Sequence, residues 1–307
     1  MHKLDRSNNR NASRMQMKYT EQAMVFNCAG CRLIGIATQP ETPAETGVLI
    51  VVGGPQYRAG SHRQFTLLAR QLAGQGIASM RFDYRGMGDS EGDMRNFEVV
   101  DADIRAAIDI FLKQAPEVRR VAIWGLCDAA SAALYYAHTD TRVSRLILLN
   151  PWVHTEAGAS RARLKHYYLS RLMQRSFWTK FLSGKIELSK SVGDLSKSAR
   201  SVATGGRSTA SVPADPRHGS PGYIERMLDG LKRFQGEVLI ILSGNDLVAQ
   251  EFVALTQQDK RWKKLCHSPK VASETVKQAN HTFSSQSWRD QVETHTAQWV
   301  TNTGKNT

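Results

Sequence analysis

Cysteine is scarce: there are four in 307 residues, at positions 28, 31, 127 and 266. In a reduced compartment all four are expected to stay thiols. Cys28 and Cys31 form a C-x-x-C, but no second Cys/His pair with zinc spacing follows it. Ala29-Gly30 lies between two apolar, strand-like runs and reads as a hairpin turn, so neither a metal nor a cofactor is expected. No apolar run reaches the roughly 18 residues of a bilayer-spanning helix. The first twenty residues are polar and basic and lack the apolar centre of a secretory leader, which makes the cytoplasm the expected location. Internal repeats are missing, and so is any recognisable nucleic-acid motif, so nucleic acid is not an expected partner.

Acidic residues are also in short supply, 28 Asp/Glu against 41 Lys/Arg, for a net charge of +13. The excess is uneven. Residues 154–207 carry eleven Lys/Arg against Glu156, Glu187 and Asp194. The N-terminal arm adds Lys3, Arg6, Arg10, Arg14 and Lys18 against Asp5. Such segments read either as solvated faces or as attraction to an anionic ligand or membrane surface. With 41% hydrophobic and 22% charged residues, the chain is otherwise an ordinary globular protein of one or two domains with a large core.

Taken in order, residues 23–26 and 32–37 read as two short strands. Residues 47–52 are a continuous apolar, β-branched run, as in a strand buried on both faces, and end in Gly53-Gly54-Pro55-Gln56. Helical spacing follows over 62–72, a strand over 77–83, a glycine-punctuated loop over 84–92 and a helix over 99–112. Strands at 121–124 and 143–150 flank a helix at 129–137. Beyond Pro151 the alternation breaks into an amphipathic helical region and a Ser/Lys/Gly-rich stretch over 189–222. It then resumes with helix 223–234, strand 238–243, helix 253–265, a weak strand at 270–276 and a closing helix. This alternation argues for a doubly wound α/β sheet.

Within it, Gly125-Leu126-Cys127-Asp128-Ala129 joins a strand to a helix. The pattern is G-x-S-x-G with Cys for Ser and Ala for the last Gly. A nucleophile elbow requires small residues two before and two after its apex, because strand and helix backbones approach closely there. Asp246 and His281 follow later strands, and the order nucleophile, acid, histidine is that of α/β hydrolases. Cys127 is therefore the candidate nucleophile, His281 the base and Asp246 the carboxylate that orients it. An oxyanion hole needs two backbone N–H groups. One is expected from Asp128 and the other from Gly54 or Gln56, since Pro55 has none. Trp152, His154 and His166 are the candidate substrate contacts.

Several strings carry a more specific resemblance. They are Gly53-Gly54-Pro55-Gln56-Tyr57-Arg58, Phe82-Asp83-Tyr84-Arg85-Gly86-Met87-Gly88-Asp89-Ser90-Glu91-Gly92, Gly125-Leu126-Cys127-Asp128-Ala129-Ala130-Ser131, Leu149-Asn150-Pro151-Trp152 and Ser243-Gly244-Asn245-Asp246. Over about residues 20–300 the chain resembles the exosortase A system-associated hydrolase 1 family of bacterial α/β hydrolases. The resemblance implies an α/β-hydrolase fold with a Cys nucleophile, in a setting of exopolysaccharide synthesis and protein sorting. The expected architecture is a mostly parallel, doubly wound sheet with helices on both faces and a helical lid insertion. Its expected parts are a disordered basic arm (1–20), a core (21–152 and 221–301) and a lid (153–220) with a flexible Ser/Lys/Gly-rich part. The expected activity is ester or thioester hydrolysis through an acyl-enzyme on a small-molecule or carrier-bound, anionic acyl substrate. The alternatives are acyl transfer to a sugar hydroxyl and a non-catalytic binding protein with this fold. Peripheral membrane contact through the basic segments is compatible with each.

Overall fold

The structure is a computed structural model that describes residues 18–54, 56–153, 220 and 222–302. Nearly all of the N-terminal arm and of the 153–220 insertion, with His154 and His166, lies outside the described residues.

Eight strands form one sheet: β1 (Tyr19–Cys28), β2 (Cys31–Pro40), β3 (Thr46–Val51), β4 (Ser79–Phe82), β5 (Arg120–Leu126), β6 (Val143–Leu149), β7 (Glu237–Ser243) and β8 (Val271–Val276). Their order is β1-β2-β4-β3-β5-β6-β7-β8. From β4 to β8 neighbouring strands are parallel, while β1–β2 and β2–β4 are antiparallel. The β1–β2 hairpin turns at Ala29 and Gly30, both at positive φ (49° and 84°), the two-residue geometry that matches strand twist. Cys28 and Cys31 face each other across that turn as free thiols. The hairpin is longer than its apolar residues alone indicate, because Thr20, Glu21 and Gln22 extend the pairing along an exposed edge.

The continuous apolar runs divide by alternation between two cores, as strands buried on both faces require. Leu49, Val51, Val121, Ile123, Leu146, Leu148, Val238 and Ile240 point to one face. Val48, Ile50, Ala122, Trp124, Ile147, Leu149, Leu239 and Ile241 point to the other. The first face is covered by α2 (Asp101–Gln114), α3 (Asp128–Tyr136), α4 (Tyr223–Arg233), α5 (Leu247–Gln258) and α6 (Lys260–Cys266). The second is covered by α1 (Gln64–Ala73) and α7 (Gln286–Thr301). The expected doubly wound sheet is thus present, and its order reverses between β3 and β5, the kind of switch point at whose carboxyl ends ligands collect in such sheets.

One element differs from the sequence reading. The helix expected over 253–265 is two helices that start earlier, at Leu247, and break at Asp259. Asp259 is extended (φ −86°, ψ 116°), and its side chain accepts the amides of Arg261 and Trp262, so it ends one helix and caps the next.

The glycine-punctuated loop after β4 is fixed by buried charge pairs. Arg85 binds both carboxylate oxygens of Asp103 at 2.8 and 2.7 Å, and Asp83 accepts from Arg58 and from the Asp89 amide. On the opposite face of the sheet, Glu293 on α7 borders a small cavity with Gln64, Trp124, Phe283 and Arg289. Burial, with Asp290 beside it, pushes the Glu293 carboxyl up to about 7, while Arg289 opposes the shift. The folded chain therefore holds this proton at pH values where the unfolded chain has released it. That favours the fold most below the ordinary value of 4.5, and the advantage is lost as pH rises through about 7. Glu293→Gln should melt above the parent chain at about pH 8 and close to it at about pH 5; thermal melts at both values check this, and a pH-independent gap contradicts it.

Candidate active site

The strand β5 ends at Leu126 and α3 begins at Asp128, so one residue makes the whole turn. That residue, Cys127, has φ 63° and ψ −123°, a backbone conformation that costs a non-glycine residue roughly 1–3 kcal/mol. The surroundings hold it there. The Cys127 amide donates to the Leu149 carbonyl at 2.8 Å, and its own carbonyl accepts from Ala130 at 3.0 Å and Trp152 at 3.2 Å. A Cβ on Gly125 would meet the Ala129 carbonyl at 2.7 Å, and one on Gly53 would collide with the Leu126 carbonyl and the Asp128 side chain. Small residues at these places are what the turn demands.

Asp246 and His281 come together. The Nδ1 of His281 lies 2.9 Å from Asp246 Oδ2. Asp246 is also the N-cap of α5, its carboxylate accepting the amides of Val248 (3.4 Å) and Ala249 (3.1 Å). Capping and orienting the histidine are thus simultaneous: the helix N-terminus fixes the carboxylate, and the carboxylate fixes the ring.

Cys127 is a free, half-buried cysteine, and its surroundings set its acidity. Burial is the largest influence and pushes its pKa up, and the charges of Asp128 and Asp246 act in the same direction. The Asp128 backbone N–H pulls the other way, as a donor to the sulfur does. On balance these influences favour the protonated thiol.

The expected oxyanion donors are engaged within the chain. Gly54 N–H donates to Asp128 Oδ1 at 2.7 Å, and Gln56 N–H donates to the Gly54 carbonyl at 2.8 Å. The Gln56 side chain accepts the Ser61 amide at 3.1 Å. Trp152 stacks on Tyr223 at 5.3 Å and meets Phe97 edge-on at 5.6 Å. Among the described residues there is no cluster of metal-ligating side chains.

Asn150 has no assigned role in the sequence reading. It is fully buried at φ 44°, just after β6. Its Nδ2 donates to Ser243 Oγ (2.5 Å) and to the His281 carbonyl (3.1 Å), and its Oδ1 accepts the Ser243 amide (2.8 Å). One side chain thus ties the end of β7 to the loop that carries His281. The available signal was an Asn directly after a buried strand, since Asn is among the residues that tolerate positive φ.

A family model described as serine aminopeptidase, S33, matches residues 45–283. An uncharacterized protein of Pseudomonas aeruginosa is 33% identical over 103 residues, 32% of this chain and 27% of that one. A polyketide transferase of a Penicillium species is 29% identical over 102 residues, 31% of this chain and 33% of that one. The matched segment spans about a quarter to a third of the length of these curated relatives. A Pyrococcus furiosus esterase superposes with a TM-score of 0.60 at 13% identity, over 95% of this chain and 96% of the other, a likeness of fold.

Asn150→Ala should destabilise the chain by about 2 kcal/mol or more, because the buried Ser243 amide and His281 carbonyl lose a partner. Urea unfolding reads this directly, and a loss below about 0.5 kcal/mol would show that the tie is not needed.

Proposed function

We propose that this chain, which belongs to the serine aminopeptidase S33 family, cleaves an acyl ester or thioester, with Cys127 as nucleophile, His281 as base and then acid, and Asp246 as the carboxylate that orients the histidine. The observation that carries the reading is the Asp246–His281 contact at 2.9 Å, at the same end of the sheet as a cysteine held at φ 63°. The family description names serine, whereas the turn here carries Cys127. The replacement exchanges an oxygen nucleophile for a sulfur one and leaves the turn, the acid and the base in their order.

In the first half-reaction the Sγ–H proton passes to His281 Nε2 as Sγ forms a bond to the acyl carbon. The carbonyl π pair moves onto oxygen, where the Asp128 backbone N–H supports the developing charge. The tetrahedral adduct collapses, its bond to the leaving oxygen or sulfur breaks, and that atom takes the proton from His281. Asp246, bound to Nδ1, stabilises the imidazolium that exists in between. In the second half-reaction water gives its proton to His281 and attacks the Cys127 thioester. Collapse of that adduct releases the acid and returns the proton to sulfur. The net positive charge of residues 154–207 suits an anionic carrier on the acyl group, such as a coenzyme A or carrier-protein thioester, and cytoplasmic action fits such a substrate.

A second reading shares the first half-reaction and replaces water by a sugar hydroxyl. It draws on the similarity to a polyketide transferase and on the resemblance to exopolysaccharide-associated hydrolases.

Incubation with p-nitrophenyl acetate or acetyl-coenzyme A, followed by acid quench and peptide mass spectrometry, should place an acetyl group on Cys127. The adduct should be absent in Cys127→Ala and should accumulate more slowly in His281→Ala. An intact protein that acquires no adduct, or acquires it on another residue, overturns the assignment. Acyl transfer is favoured if an added sugar acceptor is recovered acetylated.

A further inference from the structure

The Asp128 side chain does something that the triad chemistry does not use. Its Oδ1 accepts two amides at once, Gly54 N–H at 2.7 Å and Ala129 N–H at 2.9 Å. The Gly54 amide belongs to the loop after β3, the place from which the second oxyanion donor of this architecture comes. The first donor is Asp128's own N–H, which faces the Cys127 sulfur. A carboxylate oxygen therefore sits on one of the two amides that an acyl oxygen needs. The neighbouring amide, that of Gln56, is turned to the Gly54 carbonyl. A side chain built on Gly54 would meet no atom within 4 Å. Gly53, by contrast, leaves no space for a Cβ beside Asp128 Oδ1. The backbone is thus shaped to admit the carboxylate to the Gly54 amide.

We propose that the Asp128 carboxylate is a built-in occupant of the oxyanion hole, holding the Gly54 amide until the carbonyl oxygen of an acyl substrate takes its place. The inference rests on Cys127 being the nucleophile. It assigns Asp128 two linked effects. While the carboxylate is seated, its charge beside Sγ disfavours the thiolate and keeps the sulfur a poor nucleophile. When the acyl oxygen displaces it, the hole is completed and the charge moves off the site, so activation and substrate binding occur together. No bond is made or broken by Asp128; it exchanges one hydrogen bond for another. Among the described residues, the titratable groups facing it are Tyr84 from the loop after β4, Cys127 of the elbow and His281 from the loop after β8, with Asp246 acting on the same thiol. Burial raises the Asp128 carboxyl, and the amides of Gly54 and Ala129 hold it back.

Asp128→Asn and Asp128→Ala separate the charge from the tether, because the asparagine oxygen can still accept the Gly54 amide. Alkylation of Cys127 by iodoacetamide is followed at the peptide level from pH 6 to 10, alongside the acylation rate with p-nitrophenyl acetate. In both variants the alkylation profile should move to lower pH, raising the rate at pH 7 by about tenfold for each unit of movement. Acylation should rise in Asp128→Ala above Asp128→Asn, since only the alanine leaves the Gly54 amide free. The proposal is overturned if variants with unchanged thermal melts alkylate with the wild-type profile. It is also overturned if Asp128→Asn loses acylation, since that assigns the carboxylate to proton transfer. Failure of the nucleophile reading is recognised separately, by a wild-type protein that never acylates Cys127, and it removes the premise.

Discussion

The structure depends on a turn made by a single residue. β5 delivers the chain to the carboxyl edge of the sheet and α3 leaves it at once, so Cys127 must adopt a left-handed backbone that its side chain disfavours. The strain persists because it is over-determined. The Leu149 carbonyl holds the Cys127 amide from one side, and Ala130 and Trp152 hold its carbonyl from the other. Gly53 and Gly125 remove the side chains that would push the backbones apart. The same approach that makes the turn sharp also brings β3's loop within hydrogen-bonding distance of the first residue of α3.

Two further polar side chains extend that constraint across the sheet. Asp246 ends β7's loop by capping α5 and, with the same carboxylate, orients His281. Asn150 at the end of β6 binds Ser243 at the end of β7 and the backbone of His281. Asp246 and His281 are therefore held together from the ends of β6 and β7, next to β5, which delivers Cys127.

The architecture was legible because parallel strands buried on both faces have a conspicuous signature. Runs such as Val48 to Val52 and Leu146 to Leu149 are apolar without interruption, and short helical patterns separate them. Cys127, Asp246 and His281 stand out as candidates by their order and their small neighbours, and the structure brings Asp246 and His281 into contact. What the sequence hid has physical reasons. Asp259 breaks a helix by capping the next one, and its role as a stop depends on a dihedral that no local pattern displays. Asn150 acts through three contacts nearly a hundred or more residues away in the chain. Asp128 was readable as an amide donor at the start of a helix, but its carboxylate gains meaning only when β3 and β5 pair in parallel and place Gly54 beside it.

The central claim is that this strained cysteine is the group that carries the acyl chain. Pre-steady-state mixing with excess p-nitrophenyl acetate tests it most directly. The account predicts a burst of p-nitrophenolate equal in amount to the enzyme, followed by slower turnover, with no burst from Cys127→Ala. Linear release with no burst, identical in both proteins, would contradict it.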